Sequence, residues 1–132
     1  MAVTVADALD SMAGSRQGRR RAIDLAALSR VRAHLLACPE ETTMVELEML
    51  SGLDRWKLSR QFRAAYGTSP YRFRTLRRLE RVRHLIVAGS APAEAAAGAG
   101  FADQSHMTRQ FKRTYGLTPA RWAAAVAASE TA

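Results

Sequence analysis

Cysteine occurs once in the 132 residues, at Cys38, so neither an internal disulfide nor a cysteine-rich zinc site can form. His34 shares a helical i, i+4 spacing with it, but two weak donors without further ligands do not make a metal site, and none is expected. The chain also lacks a glycine-rich phosphate loop, a histidine-rich cluster and a nucleophile with a base beside it. Catalysis therefore has no support, and no cofactor is expected. No apolar run reaches the roughly 20 residues that cross a bilayer. The opening "MAVTVADALDSMAGS" carries Asp7 and Asp10 and no basic start, unlike a secretory leader. A cytoplasmic protein without a membrane partner is the expectation. Strict apolar–polar alternation is missing too, which excludes a convincing strand and leaves an all-α reading.

Acidic residues are scarce in one place. Residues 54–122 hold 14 basic and 4 acidic side chains, a local balance of +10, whereas the rest of the chain has 6 basic and 8 acidic. So dense a basic excess attracts nucleic acid, an anionic membrane surface or an acidic protein, and alone does not choose among them. The apolar share of 48% and charged share of 24% are those of an ordinary globular protein, with room for one domain or two very small ones.

The punctuation is helical throughout. "GSRQGRRR" reads as an exposed linker, and residues 1–23 as a connecting segment, partly disordered, although Val3, Val5, Leu9 and Met12 suit a short amphipathic helix. The folded domain is expected over 24–128. Asp24 caps a helix with Leu25, Leu28, Val31, Leu35 and Leu36 apolar, ending before Pro39. Thr43 and Glu46 form a capping box for a short helix carrying Met44, Leu47 and Leu50, stopped by Gly52. Asp54 caps the next, which buries Leu58, Phe62 and Ala65. Ser69-Pro70 starts a long helix to about residue 88, with Tyr71, Phe73, Leu76, Leu79, Val82 and Ile86 apolar. Helices over about 91–99 and 103–115, and one from Thr118-Pro119, complete the series. Two helix-turn-helix units result, at about 43–67 and 91–116, joined by a linker helix at about 69–88.

The two units repeat a sentence. "RWKLSRQFRAAYGTSPYRF" from Arg55 and "QSHMTRQFKRTYGLTPARW" from Gln104 lie 49 positions apart and agree at seven of nineteen positions. If each second helix buries its apolar stripe, residues two places away point about 200° round the axis. That face holds Trp56, Ser59, Arg60 and Arg63 in the first copy. In the second it holds Ser105, Thr108, Arg109 and Lys112, with Gln104 and His106 at its N-terminal edge. Such a mixture suits a DNA major groove, where arginine bonds guanine, small polar groups read base edges and an apolar ring meets the thymine methyl. Arg55, Lys57, Arg63, Lys112 and Arg113 are placed for phosphates. Two such helices about one DNA turn apart (~34 Å) would meet successive grooves. The six arginines from Arg72 to Arg83 read either as a solvated helix face or as further phosphate contacts.

At "SGLDRWKLSRQF", "GTSPYRFRTLRRL" and "GFADQSHMTRQFKRTYGLTPARW" the sequence resembles the DNA-binding domain of the AraC/XylS family of bacterial transcription regulators, over about residues 24–125. The resemblance implies a seven-helix, homeodomain-like domain of two helix-turn-helix units joined by a long helix, binding double-stranded promoter DNA and recruiting or blocking RNA polymerase. It maps base contacts to Trp56, Ser59 and Arg60, and to Gln104, Ser105, His106 and Arg109. A double reading head needs no second chain, so a monomeric domain is expected. Glu48 departs from the small alanine usual in the family, so that it either turns outward or loosens the first unit. The helix over 91–99 is nearly all alanine and glycine, with Pro92 where a larger apolar residue is usual, which makes the second unit the expected weaker half. Family members often carry an effector-binding domain ahead of this one. Competing readings are the DNA-binding fragment of a larger effector-sensing regulator or repair protein, and a protein-interaction module that has lost DNA binding.

Overall fold

The computed structural model describes residues 22–131; all but the last two residues of the expected connecting segment 1–23 lie outside them. Among the described residues there are seven helices and no strand: α1 (Leu25–Ala37), α2 (Met44–Ser51), α3 (Arg55–Tyr66), α4 (Pro70–Val87), α5 (Pro92–Gly98), α6 (Gln104–Tyr115) and α7 (Pro119–Thr131). Most starts are fixed by a side chain that accepts an otherwise orphaned backbone N–H. Asp24 accepts from Ala27, Asp54 from Lys57, Ser69 from Arg72 and Asp103 from His106, at 2.7–3.1 Å. Thr43 and Glu46 close a reciprocal capping box. Only α5 begins without such a bond, its first position being held by Pro92 alone. α2, α3 and α6 each end on a left-handed glycine, at Gly52, Gly67 and Gly116.

Two separate hydrophobic cores form. The first gathers Leu28, Val31, Leu35, Leu47, Leu58 and Phe62 from α1, α2 and α3, with Phe73 of α4 packed against it. The second gathers Leu79 and Val82 of α4 with Ala95, Ala96, Ala99, Phe101, Met107 and Phe111. The long helix α4 serves both, its N-terminal half facing one core and its C-terminal half the other. Two aromatic arrangements recur in the other unit. Phe62 and Tyr66 meet edge to face at 4.7 Å, as do Phe111 and Tyr115. Phe73 closes on Phe62 at 5.7 Å where Trp122 closes on Phe111 at 5.8 Å. The repeated sentence is thus a repeated packing unit.

Three of the apolar residues lie further out. Leu36, Leu50 and Tyr71 are all substantially exposed. Leu36 follows Leu35 by 100° round α1, and the buried stripe is narrower than the apolar content, taking Ala27 in place of the larger side chain. Tyr71 instead offers its ring to Arg74, whose guanidinium carbon lies 5.1 Å from the ring centroid.

Five of the six arginines of α4 are engaged within the protein, and Arg81 is exposed. Arg72 donates to Thr114 Oγ1 of α6 at 3.0 Å, Arg74 to the Thr42 carbonyl at 3.0 Å, and Arg78 to the Pro39 carbonyl at 2.7 Å. Arg77 pairs with Glu80 at 3.2 Å, and Arg83 lies over the rings of Tyr115 and Trp122. Most of this helix's charge is spent inside the fold rather than displayed.

Candidate nucleic-acid interface

α3 and α6 are built alike. Leu58 and Phe62 turn inward from α3, and Met107 and Phe111 from α6, so the 3.6-residue period sends the intervening positions outward. On α3 the side chains of Arg55, Trp56, Lys57, Arg60 and Arg63 are exposed, and Ser59 is half-buried at the edge. On α6 Gln104, Ser105, Arg109, Lys112 and Arg113 are exposed, while Thr108 and His106 are half-buried. Asp54 and Asp103 cap the two helices through backbone N–H groups of their first turns.

Trp56 is 76% exposed, an expensive position for an indole unless a partner covers it. Arg60 and Arg109 occupy equivalent positions and make no hydrogen bond or ion pair among the described residues. Lys57, Arg63, Lys112 and Arg113 flank them, likewise uncommitted.

Two of the expected contacts are partly engaged inside the protein. His106 meets Phe101 edge to face at 5.7 Å, so its ring is held by the turn before α6. Arg55 Nε lies 3.7 Å from Glu48 Oε1, which answers the question set by that unusual acid. Glu48 turns out of the first core and sits beside α3's first turn, lowering the local positive charge where a phosphate would approach.

Gln61 has a role that sequence reasoning missed. It shares its identity with Gln110 in the repeat, but its Oε1 accepts from the Asp24 backbone N–H at 2.9 Å and ties the start of α1 to α3. Nothing in a lone glutamine on a helix signals a partner 37 positions away.

Among the described residues no three histidine, cysteine, aspartate or glutamate side chains gather to hold a metal ion, and no helix is long and apolar enough to cross a membrane. What the two outer faces offer is cationic and hydrogen-bonding chemistry on two equivalent helices.

A family model described as a helix-turn-helix domain matches residues 50–125. The chain is 37% identical over 68 residues to the uncharacterized HTH-type transcriptional regulator YbfI of Bacillus subtilis (strain 168), a stretch covering 52% of this chain and 25% of that protein. Its fold is similar to a probable AraC family transcriptional regulator from Rhodopseudomonas palustris CGA009, with a TM-score of 0.62 and 26% identity over 71% of this chain and 91% of the other. It is also similar to the DNA-binding domain of the global transcriptional factor AdpA, solved in complex with a target DNA, with a TM-score of 0.70 and 25% identity over 77% and 94%.

Proposed function

Because the chain belongs to the AraC-type helix-turn-helix family of DNA-binding transcription regulators, we propose that it binds promoter DNA sequence-specifically by inserting α3 and α6 into successive major grooves. The relatives it resembles are regulators rather than enzymes. Residues 24–128 constitute the DNA-binding domain in this reading. Trp56, Ser59, Arg60, Gln104, Ser105, His106 and Arg109 meet base edges, and Arg55, Lys57, Arg63, Lys112 and Arg113 meet phosphates. Bound to a promoter in the cytoplasm, the protein recruits or blocks RNA polymerase and performs no chemistry of its own.

One observation carries the proposal: the outward faces of α3 and α6 are equivalent in position, uncommitted to internal partners at Arg60 and Arg109, and backed by the same aromatic packing. A lone basic helix would give affinity without register. Two matched heads on one helix-linked scaffold give a site of two blocks. His106 contributes less freely than the others, since its ring leans on Phe101.

Selection from a random duplex pool tests this, followed by titration of the winner and of a scrambled control across a salt series. Two short blocks about one helical turn apart, with the winner bound at least about a thousandfold more tightly than control, are expected. Enrichment of nothing, with steep salt dependence on every duplex, would reduce the protein to a basic module and defeat the proposal.

A further inference from the structure

We infer that Arg78, acting with Arg74 and Gly100, is a positioning residue that locks the two helix-turn-helix units in one relative pose. The spacing between the two DNA blocks is then set by the protein rather than by a hinge. The consequence for DNA rests on the two-headed reading above; the lock itself does not.

The loop from Cys38 to Thr43 joins α1 to α2 and belongs to the first unit. Its carbonyl groups face α4. Arg78 Nε donates to the Pro39 oxygen at 2.7 Å, and its Nη2 donates to the Thr42 oxygen at 3.2 Å and the Glu40 oxygen at 3.4 Å. Arg74 Nη1 adds a second donor to the Thr42 oxygen at 3.0 Å. Pro39 and Thr42 are buried, and the Thr42 hydroxyl donates back to the Cys38 carbonyl. Burial draws both guanidinium groups below their ordinary pKa, and for Arg78 the neighbouring charge of Arg74 adds to the effect. Both stay charged, since an arginine keeps its proton at any physiological pH.

The same loop touches the second unit directly. Gly100, in the turn between α5 and α6, has φ +93°, and a Cβ there would stand 2.8 Å from Glu40 Cα. Only glycine fits, on both counts. A third link runs from Arg72 of α4 to Thr114 near the end of α6. The first unit's loop is therefore gripped by α4 on one side and seated on the second unit's turn on the other. Buried carbonyls need donors, so removing Arg78 takes this donor from the Pro39 and Glu40 oxygens and leaves Thr42 with Arg74 alone, which unseats the loop and leaves α4 as the principal connection. A lysine at 78 reaches one of the three, without the planar fork.

Inserting one base pair between the blocks turns the distal block by roughly 34° and moves it ~3.4 Å, since a helical turn takes 10–10.5 base pairs. A locked reader cannot follow; a hinged one can.

The lock is tested without DNA. Nitroxide labels at Ala33→Cys on α1 and Ala124→Cys on α7, both exposed positions, in a Cys38→Ser background, give the distance distribution between units by electron–electron double resonance. A single narrow distribution is expected for the parent, a clearly broader one for Arg78→Met at unchanged helicity, and an intermediate width for Arg78→Lys. Should Arg78→Met lose helicity, Arg78→Lys decides alone. A broad parent distribution, or a width unmoved by substitution, overturns the lock.

On the selected duplex, one inserted base pair should weaken the parent about tenfold or more. Arg78→Met should lose distinctly less, at equal affinity for a single block. Equal penalties in the two proteins also overturn the lock. Recovery of only one block would instead defeat the two-headed reading, with the label distances still deciding the lock.

Discussion

Arg60 and Arg109 stand at equivalent places on α3 and α6 and point to solvent without a partner among the described residues. Arginine forks two acceptors on guanine, so Arg109→Ala should lose about 1–3 kcal/mol of discrimination at one or two base pairs. Arg63→Ala, at a proposed phosphate contact, should weaken all duplexes alike. Binding measured on the selected site and its single-base variants separates the two, and equal loss on every duplex after Arg109→Ala would remove its assigned role. Glu48 supplies the opposite case. It is partly exposed and 3.7 Å from Arg55, so the pair contributes at most about 1 kcal/mol to stability. Glu48→Ala should leave the melting temperature nearly unchanged while tightening binding to every duplex, because a negative charge leaves the end of α3 proposed to face phosphate. Tighter binding to the selected site alone would contradict this, and would make Glu48 a reader rather than a charge. These outer positions were legible because a period of 3.6 fixes which side chains oppose Leu58, Phe62, Met107 and Phe111. Gln61 was not, since its partner is a backbone N–H with no sequence signature.

The helices themselves were announced by their ends: Asp24, Thr43, Asp54, Ser69 and Asp103 each cap as their positions imply. What composition conveyed poorly was the role of α5. Read as an apolar deficit, its alanines suggest a weakly held helix; in the fold Ala95, Ala96 and Ala99 are almost completely buried. Close approach is their contribution, and a Cβ at Gly98 would already stand 3.1 Å from Leu85 Cδ1. Small side chains trade apolar area for contact between backbones, a choice that a residue-by-residue hydropathy count records as loss. The two views part on Ala96→Leu. If α5 is seated as tightly as its burial indicates, the larger side chain overpacks the second core and should cost about 1–3 kcal/mol. If α5 is loose, the added methyl groups find room and stabilise. Urea unfolding followed by far-ultraviolet circular dichroism reads the sign directly.

Across the whole molecule, net charge overstates what is available to DNA. Of the 14 basic residues in 54–122, Arg72, Arg74, Arg77, Arg78 and Arg83 are engaged with side chains, loop carbonyls or aromatic rings of the protein itself. The sequence could not separate these from the other nine. Arg78 and its acceptors lie 36 to 39 positions apart, and those acceptors are main-chain oxygens. The distinction is measurable as counterion release. The five proposed phosphate contacts, from Arg55, Lys57, Arg63, Lys112 and Arg113, predict that log K falls against log salt with a slope of about −4.5, each contact contributing about −0.9. Were the five internal arginines also on phosphates, the slope would steepen to about −9. Arg63→Ala should shallow the slope by about 1, whereas Arg78→Met should leave it unchanged even where it lowers affinity, since its effect passes through pose and not through charge on the backbone. A slope near −9, or one that shallows on Arg78→Met, would place the linker helix on the DNA and return its arginines to the interface.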